Sequence, residues 1–265
     1  MQIARRLTIS LALVLLTVGC RSSGPKWSPD QAVLSYAEFH GDSVDLYNIR
    51  NCEYRSTNDF TVRHYDKTFD LNQVVNVDFV MVPFSDMPAG AHTFLTFGFD
   101  TGDHIAVSIE VRRREGEEFS IVKGMTGGFD LMYVIADERD VIQLRTNYRM
   151  DDVYLYHGVA DREHTRALLV DMLKRANKLR EAPEPYHLLT NNCTTNVMAH
   201  VNRIAPNKVP YTYQVLLPGY SDRLAYDLGL IVADESFERT KELARINKVA
   251  YVYRDSPDFS TLIRR

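Results

Sequence analysis

The segment 92-HTFLTFGFDTGDHIAVSIEVR-112 predicts the central hairpin of the fold. Two apolar-rich runs, 92–99 and 104–112, flank the short stretch 100-DTGD-103. Aspartate and glycine in a connection of this length favour a tight turn between antiparallel strands. The segment therefore predicts two long neighbouring strands at the centre of a sheet.

The register of this hairpin decides which polar side chains meet. If residues 100–102 form the turn, His92 lies opposite Glu110. A shift of one residue brings Val111 opposite His92 instead, with Ser108 and Glu110 still near. Either register places an imidazole beside a carboxylate on the neighbouring strand.

Periodic patterns elsewhere predict strands first and helices later in the chain. The predicted strands are 60–70, 74–82, 130–136, 140–146 and 153–157, with a break at 83–91. The predicted helices are 162–182, capped by Asp161 and ended by Pro183; 193–204, capped by Thr190, Asn191 or Asn192; and a short helix within 236–250. This order predicts an α+β fold, an antiparallel sheet with helices packed on it.

The N-terminus has the pattern of a secretory signal, because Arg5 and Arg6 precede an apolar run. The run ends in 16-LTVGC-20, which resembles the lipobox of bacterial lipoproteins. We expect a signal peptide at 1–19 and a lipidated Cys20. The alternative is an ordinary signal peptide in which the cysteine is fortuitous.

Downstream of Cys20, residues 20–30 are rich in Ser, Gly and Pro and predict a lipidated terminus with a tether. Residues 31–265 suit a single periplasmic domain with a core at about 80–205. The net charge of −4 gives no reason to expect nucleic acid. By analogy with bacterial lipoproteins, the absence of Asp after Cys20 favours the outer membrane, facing the periplasm.

A lone cysteine stands in 188-LLTNNCTTNVMAHV-201, at the start of a predicted helix. A helix end contributes about 0.3–1 kcal/mol to a nearby charge. That is less than the roughly 1.4 kcal/mol that shifts a thiol pKa by one unit, so Cys193 needs a basic partner to act as a nucleophile. His92 is the candidate, since Glu110 could orient it. The alternatives are an inert buried thiol, a Cys52–Cys193 disulfide, or a metal site with His187 and His200, for which the spacing is poor.

Four segments resemble the periplasmic domain of the Lnb family of bacterial lipoprotein N-acyltransferases. They are 91-AHTFLTFGFDTGDHIAVSIEVRRREGE-117, 130-DLMYVIADERDVIQLRT-146, 151-DDVYLYHG-158 and 186-YHLLTNNCTTNVMAHVN-202. The order of histidine before cysteine also resembles circularly permuted papain-like folds of the NlpC/P60 and lecithin:retinol acyltransferase kinds. The resemblance thus implies a permuted papain-like cysteine enzyme.

The resemblance also implies the chemistry. Cys193 takes an acyl group from a phospholipid as a thioester and passes it to the N-terminal amine of a lipoprotein, with His92 as base and Glu110 as its orienting carboxylate. The residues expected to bind substrate or stabilise the oxyanion are Asn192, Tyr186, Ser108 and Arg112. No cofactor and no metal are expected, and the membrane is reached through the lipid on Cys20.

Two other classes of protein fit the same residues. One is an NlpC/P60-like cysteine amidase or peptidase, or a phospholipid hydrolase, of the cell envelope, because each needs the same cysteine and histidine. The other is a non-catalytic envelope lipoprotein, in which Cys193 is a packing residue.

Overall fold

The computed structural model describes residues 24–264. The predicted signal peptide, 1–19, and the predicted lipidation site, Cys20, lie outside the described residues. The strands are β1 (Tyr36–His40), β2 (Ser43–Arg50), β3 (Glu53–Tyr54), β4 (Phe60–Thr61), β5 (His64–Asp70), β6 (Val74–Phe84), β7 (Met87–Phe99), β8 (His104–Arg112), β9 (Phe129–Asp137), β10 (Tyr154–His157) and β11 (Pro185–Tyr186).

The predicted hairpin lies at the centre of the main sheet. The strands follow the order β1-β2-β9-β8-β7-β6-β10, with β5 paired to β2 and β11 to β9. Phe94 pairs with Ser108 and Gly98 with His104. If the register is continued two residues beyond the Phe94–Ser108 pair, His92 lies opposite Glu110. This is the first of the two predicted registers. The predicted break at 83–91 is instead a tight turn, because β6 extends to Phe84 and β7 begins at Met87.

The predicted antiparallel sheet is confirmed in part, because the sheet is mixed and one of its pairings is parallel. β2 meets β9 in the parallel direction through the pair Arg50–Ala136. A buried ion pair accompanies this contact: Arg50 Nη2 donates to Asp140 Oδ1 at 2.8 Å, and Arg50 Nε donates to Asp140 Oδ2 at 3.1 Å. Such a long-range contact leaves no periodic signal in the sequence, which explains why it was not predicted.

Helices cover both faces of the sheet. They are α1 (Ile121–Thr126), α2 (Glu138–Gln143), α3 (Arg162–Glu181), α4 (Cys193–Ile204), α5 (Tyr213–Leu216), α6 (Ser221–Asp227), α7 (Phe237–Ala244), α8 (Asn247–Val252) and α9 (Phe259–Leu262). The predictions of α3 and α4 are confirmed. Asp161 caps α3 by accepting from the His164 amide, and Asn192 caps α4.

Side chains that alternate along the strands form the two larger of the four apolar clusters among the described residues. The first core joins α3 and α4 to one face, and includes Leu95, Val107, Leu169, Met172 and Val197. The second core joins α2, α8 and α9 to the other face, and includes Val80, Phe94, Ala106, Ile246 and Phe259. The sheet is therefore covered by helices on both sides and organised as an α+β fold. The C-terminal segment, whose role the sequence did not indicate, supplies much of the second core.

The predicted strand 140–146 was wrong. Asp137 ends β9 and caps α2, because its side chain accepts from the amide of Arg139. The helix continues as a π-helical segment, Leu144–Arg149, with Met150 in the left-handed region at its end. A short apolar run such as 140-DVIQLRT-146 fits a strand or a buried helix equally well, and the cap decides between them.

Burial of His200 in α4 should make the protein sensitive to acid. Tyr133 Oη lies 2.7 Å from His200 Nε2, and Asp171 Oδ2 lies 2.5 Å from Nδ1. Burial lowers the pKa of His200 to about 4, although Asp171 opposes the shift. The unfolded chain binds a proton below about pH 6.5 and the folded protein does not, so stability falls between pH 6.5 and 4.

We expect the free energy of unfolding to fall by about 1 kcal/mol per pH unit from this residue alone. Urea unfolding between pH 4.5 and 7 measures that slope. His200→Gln should reduce the slope by about 1 kcal/mol per pH unit, whereas Val201→Ala, a packing change in the same helix, should lower stability at every pH and leave the slope unchanged. An unaltered slope in His200→Gln would contradict this assignment.

Candidate active site

A cavity of about 310 Å³ lies where β7 and β8 separate. The ladder between these strands ends at the pair Phe94–Ser108. Beyond it β7 continues against β6, and β8 continues against β9. The ends of the two strands thus flank a gap in the sheet, and the cavity is lined among others by His92, Glu110, Arg145, Tyr186 and Cys193.

The gap brings together side chains from opposite faces of the sheet. Thr93 contacts Thr194 of α4, with 3.2 Å between the hydroxyl oxygens, while Phe94 belongs to the second core. Alternation along β7 therefore sets His92 on the face of Phe94, against whose ring it stacks. Cys193 belongs to the first core. The two side chains line one cavity because the strands no longer close the sheet there.

His92 reaches Glu110 through a serine. Nε2 of His92 lies 2.8 Å from Oγ of Ser108, and that hydroxyl donates to Oε1 of Glu110 at 2.9 Å. The direct distance from His92 Nε2 to Glu110 Oε1 is 3.8 Å. An ionised carboxylate only accepts, so Ser108 uses its one hydrogen on Glu110 and must accept from His92 Nε2–H. Nδ1 of His92 is then the nitrogen with a free lone pair.

Two arginines keep this relay in one charge state. Arg145 Nη2 donates to Glu110 Oε1 at 3.3 Å. Burial raises the pKa of Glu110, but the charges of Arg145 and Arg50 outweigh it and hold the pKa well below its usual range. Burial, reinforced by Arg145, lowers the pKa of His92 to about 3, although Glu110 opposes the shift. The relay therefore consists of a neutral imidazole and an ionised carboxylate at neutral pH.

Arg145 is the site residue that the sequence did not indicate. It lies in the π-helical segment, is buried, and stacks over the Phe94 ring at 5.2 Å. Segments of π-helix are rare and are often found at functional sites. The available signal was an arginine within an apolar run, since a buried arginine requires a carboxylate partner.

Cys193 is the first residue of α4. Asn192 forms a capping box: its Oδ1 accepts from the Thr195 amide at 2.8 Å, and its own amide donates to Thr195 Oγ1 at 2.9 Å. Within the described residues, the amides of Cys193 and Thr194 have no acceptor, as expected at a helix start. These two amides are available to stabilise an anion beside the thiol.

The thiol of Cys193 is buried and free. Its sulfur lies 3.9 Å from the Ala91 carbonyl and 3.8 Å from Thr194 Oγ1, and no hydrogen bond joins it to His92 among the described residues. Cys52 is also a free thiol, so the disulfide alternative is wrong for this structure. The metal alternative has little support, since His200 is engaged by Tyr133 and Asp171.

Of the residues predicted to bind substrate or stabilise the oxyanion, three lie at or next to the cavity: Tyr186, Asn192 and Ser108. Tyr186 lines the cavity, and burial, together with nearby Cys193, raises its pKa well above the usual range, so its hydroxyl stays neutral. Asn192 also lines the cavity, but its side chain is occupied by the capping box and by Leu188 O, to which its Nδ2 donates at 2.6 Å. Ser108 serves as the connection between His92 and Glu110.

Arg112 is not brought to this cavity. Its guanidinium donates to the carbonyl groups of Gln31 and Ala32 and stacks over the Trp27 ring at 4.0 Å. Trp27 is held from a second side by Arg114, also at 4.0 Å. The end of the predicted tether is thus packed against the domain at this point, and Arg112 is occupied by that contact.

Removing the charge of Arg145 should raise the pKa of His92. In Arg145→Met the repulsion between guanidinium and imidazolium is lost, so the imidazole binds a proton at higher pH. NMR titration of the His92 ring measures the pKa directly, and we expect a rise from about 3 that stops short of the usual 6.5, because burial still lowers the pKa. Arg113→Met, which removes another arginine lining the cavity, should leave that pKa unchanged. An equal rise in both variants would contradict a specific role for Arg145.

Fold and site together define an α+β domain in which a buried cysteine at a helix start and a hydrogen-bonded histidine line one cavity. The chain belongs to the Lnb N-terminal periplasmic domain family, whose model matches residues 61–219. Comparison with curated proteins and with solved structures found no match.

Membership of this family indicates an Lnb-type envelope protein with a periplasm-facing location. The matched segment, 61–219, contains the cavity residues His92, Glu110 and Cys193. None of the helices within residues 24–264 is both long and apolar enough to cross a membrane.

Proposed function

We propose that this protein is a lipoprotein N-acyltransferase in which Cys193 carries the acyl group as a thioester. The observation that carries the proposal is the oriented relay His92–Ser108–Glu110 in the same cavity as Cys193, in a chain of the Lnb family. A free Nδ1 lone pair and a thiol at a helix start are the two groups that acyl transfer needs.

In the first step His92 Nδ1 takes the proton of the Cys193 thiol, and Sγ attacks the carbonyl carbon of a phospholipid ester. The tetrahedral oxyanion accepts hydrogen bonds from the Cys193 and Thr194 amides, each worth about 3 kcal/mol in such a site. The carbon–oxygen bond then breaks, and His92 returns the proton to the departing lysophospholipid oxygen. A thioester remains on Cys193.

In the second step the α-amine of a lipoprotein attacks the thioester carbonyl. His92 accepts a proton from the amine, the carbon–sulfur bond breaks, and the proton returns to the sulfur. One ester bond is broken in the cycle and one amide bond is formed, and the enzyme is regenerated. In both steps the Cys193 side chain must turn from Ala91 O towards His92. Catalytic hydrogen bonds are often long in the absence of substrate, so this displacement is compatible with the role.

The surroundings of the cavity support a lipid substrate. Four of its lining residues are exposed apolar side chains: Phe84, Phe119, Ile121 and Leu217. They come from three separate segments of the chain. Apolar patches of this kind mark sites that contact a membrane, a ligand or another protein. Together with the expected lipid on Cys20, they would place the cavity mouth at a bilayer surface, where both substrates are found.

We extend the proposal to a permuted papain-like arrangement. Three features support it: a cysteine that begins a helix, a histidine on a central strand, and the histidine preceding the cysteine in the chain. In that arrangement the imidazole is fixed by a polar side chain on the neighbouring strand. Ser108, backed by Glu110, has that position here.

The test is expression of the full chain in bacteria that lack lipoprotein N-acylation. Mass spectrometry of lipoprotein N-terminal peptides should reveal a new N-linked acyl chain, and the phospholipid fraction should gain lysophospholipid. Free fatty acid and lysophospholipid with unmodified lipoproteins would indicate a phospholipid hydrolase instead. Cleaved envelope peptides would indicate an amidase, and an unchanged envelope would support a non-catalytic lipoprotein.

A further inference from the structure

A second and larger cavity, of about 450 Å³, lies beneath α4. Its volume is in the range of small-molecule sites. Its lining is mostly apolar, with residues from the sheet (Val77, Phe79, Leu95) and from α4 (Val197, Val201, Ile204). Nothing in the mechanism above uses this space.

The lining of this cavity follows α4 and begins at the residue next to the thiol. Along α4 it extends from Thr194 to Ile204, which is roughly 15 Å of helix. Thr194 lines this cavity, and its hydroxyl lies 3.8 Å from the Cys193 sulfur. Three exposed polar side chains also belong to its lining: Asp161, His164 and Lys208. The space thus runs from next to the nucleophile along the apolar face of α4 towards the surface.

We infer that this cavity binds the unbranched acyl chain that is carried on Cys193. The apolar residues along α4 offer no partner to the polar groups of a headgroup or a peptide, so burying either against them would be costly. The space fits a hydrocarbon chain, whose burial is favourable at every methylene. The carbonyl would remain at Cys193 in the first cavity, and the tail would pass Thr194 into the second. The identification of the ligand rests on the proposed function.

Binding can be measured without catalysis. Cys193→Ala protein, which cannot form a thioester, is titrated with a fluorescent polyene fatty acid, and we expect saturable binding. Val201→Phe, added to this background, places a ring in the cavity and should weaken binding at least tenfold. Val122→Phe makes the same change at an exposed position outside the cavity and should leave affinity unaltered. Val209→Phe, at another residue of the lining, repeats the test if Val201→Phe does not fold.

In protein with Cys193 intact, Val201→Phe should also shift acyl transfer towards shorter chains. Absence of saturable binding, or binding insensitive to both cavity substitutions, would overturn the inference. A third outcome is that fatty acid binds saturably, that Val201→Phe abolishes this binding, and that the protein with Cys193 intact transfers no acyl group. That outcome would support the second cavity as a hydrocarbon site and refute the proposed function. If acyl transfer occurs and Val201→Phe does not change its chain-length preference, the acyl-binding role of the second cavity is refuted and the proposed function stands.

Discussion

Cys193→Ala is expected to abolish thioester formation and to lower acyl transfer by at least about 10⁴-fold. The methyl group cannot attack a carbonyl, so the covalent route is lost and only binding and oxyanion stabilisation remain. The rest of the cavity should be preserved, because the capping box depends on Asn192 and Thr195 and not on the thiol. Trapping of radiolabelled acyl groups on the protein measures the thioester, and mass spectrometry of lipoprotein N-termini measures transfer.

Cys52→Ala is the matched control for this substitution. Cys52 is also a buried free thiol, but it lies away from the cavity, and its amide donates to Asp140 Oδ2. Its replacement should leave transfer and trapping within a few-fold of the unsubstituted protein. Undiminished transfer in Cys193→Ala would rule out the thioester route, and loss of transfer in both variants would point to a stability effect.

Arg264→Ala is expected to destabilise the fold by about 3–5 kcal/mol, the range found when one partner of a buried ion pair is removed. Arg264 Nε donates to Asp78 Oδ2 at 2.8 Å, and Nη1 donates to Glu138 Oε2 at 2.8 Å. Both carboxylates are buried. Burial raises the pKa of Glu138, but the charge and hydrogen bonds of Arg264 reverse the shift and lower it. Without Arg264 these two buried carboxylates lose the guanidinium that both of them bind.

The pH dependence separates this electrostatic loss from a loss of packing. In Arg264→Ala the buried Glu138 should bind a proton more readily, so the destabilisation should be smaller at pH 5 than at pH 8. Arg245→Ala is the control, since the Arg245–Asp152 pair is half exposed and should contribute less than about 1 kcal/mol. Urea unfolding of the three proteins measures these differences. A destabilisation by Arg264→Ala that does not change with pH would contradict the electrostatic explanation.

The hairpin and the two long helices could be predicted because each has a local cause. Asp-Gly between two alternating runs fixes the register of β7 and β8, and that register alone brought His92 close to Glu110. Asp161 and Asn192 likewise act within one turn of the helices that they cap. These interactions join residues that are close in sequence, so a local sequence pattern is enough to predict them.

Other parts of the site depend on contacts between distant residues and could not be predicted. The serine between His92 and Glu110 follows from rotamers, which decide between a direct 3.8 Å separation and two hydrogen bonds of 2.8 and 2.9 Å. Arg145 reaches Glu110 only because a helix replaces the expected strand. Arg112 had the better sequence signal, next to the hairpin, but it is engaged by Trp27.

The second core determines when the domain can finish folding. It joins Val80 and Phe94 of the sheet to Ile246 and Phe259. The ribosome synthesises these last two residues more than 150 positions after Phe94. A chain that emerges N-terminus first therefore presents an apolar sheet face before its covering helices exist. Non-local contacts of this kind slow folding and expose the intermediate to aggregation. The domain should consequently reach its compact state only after its last helices have emerged.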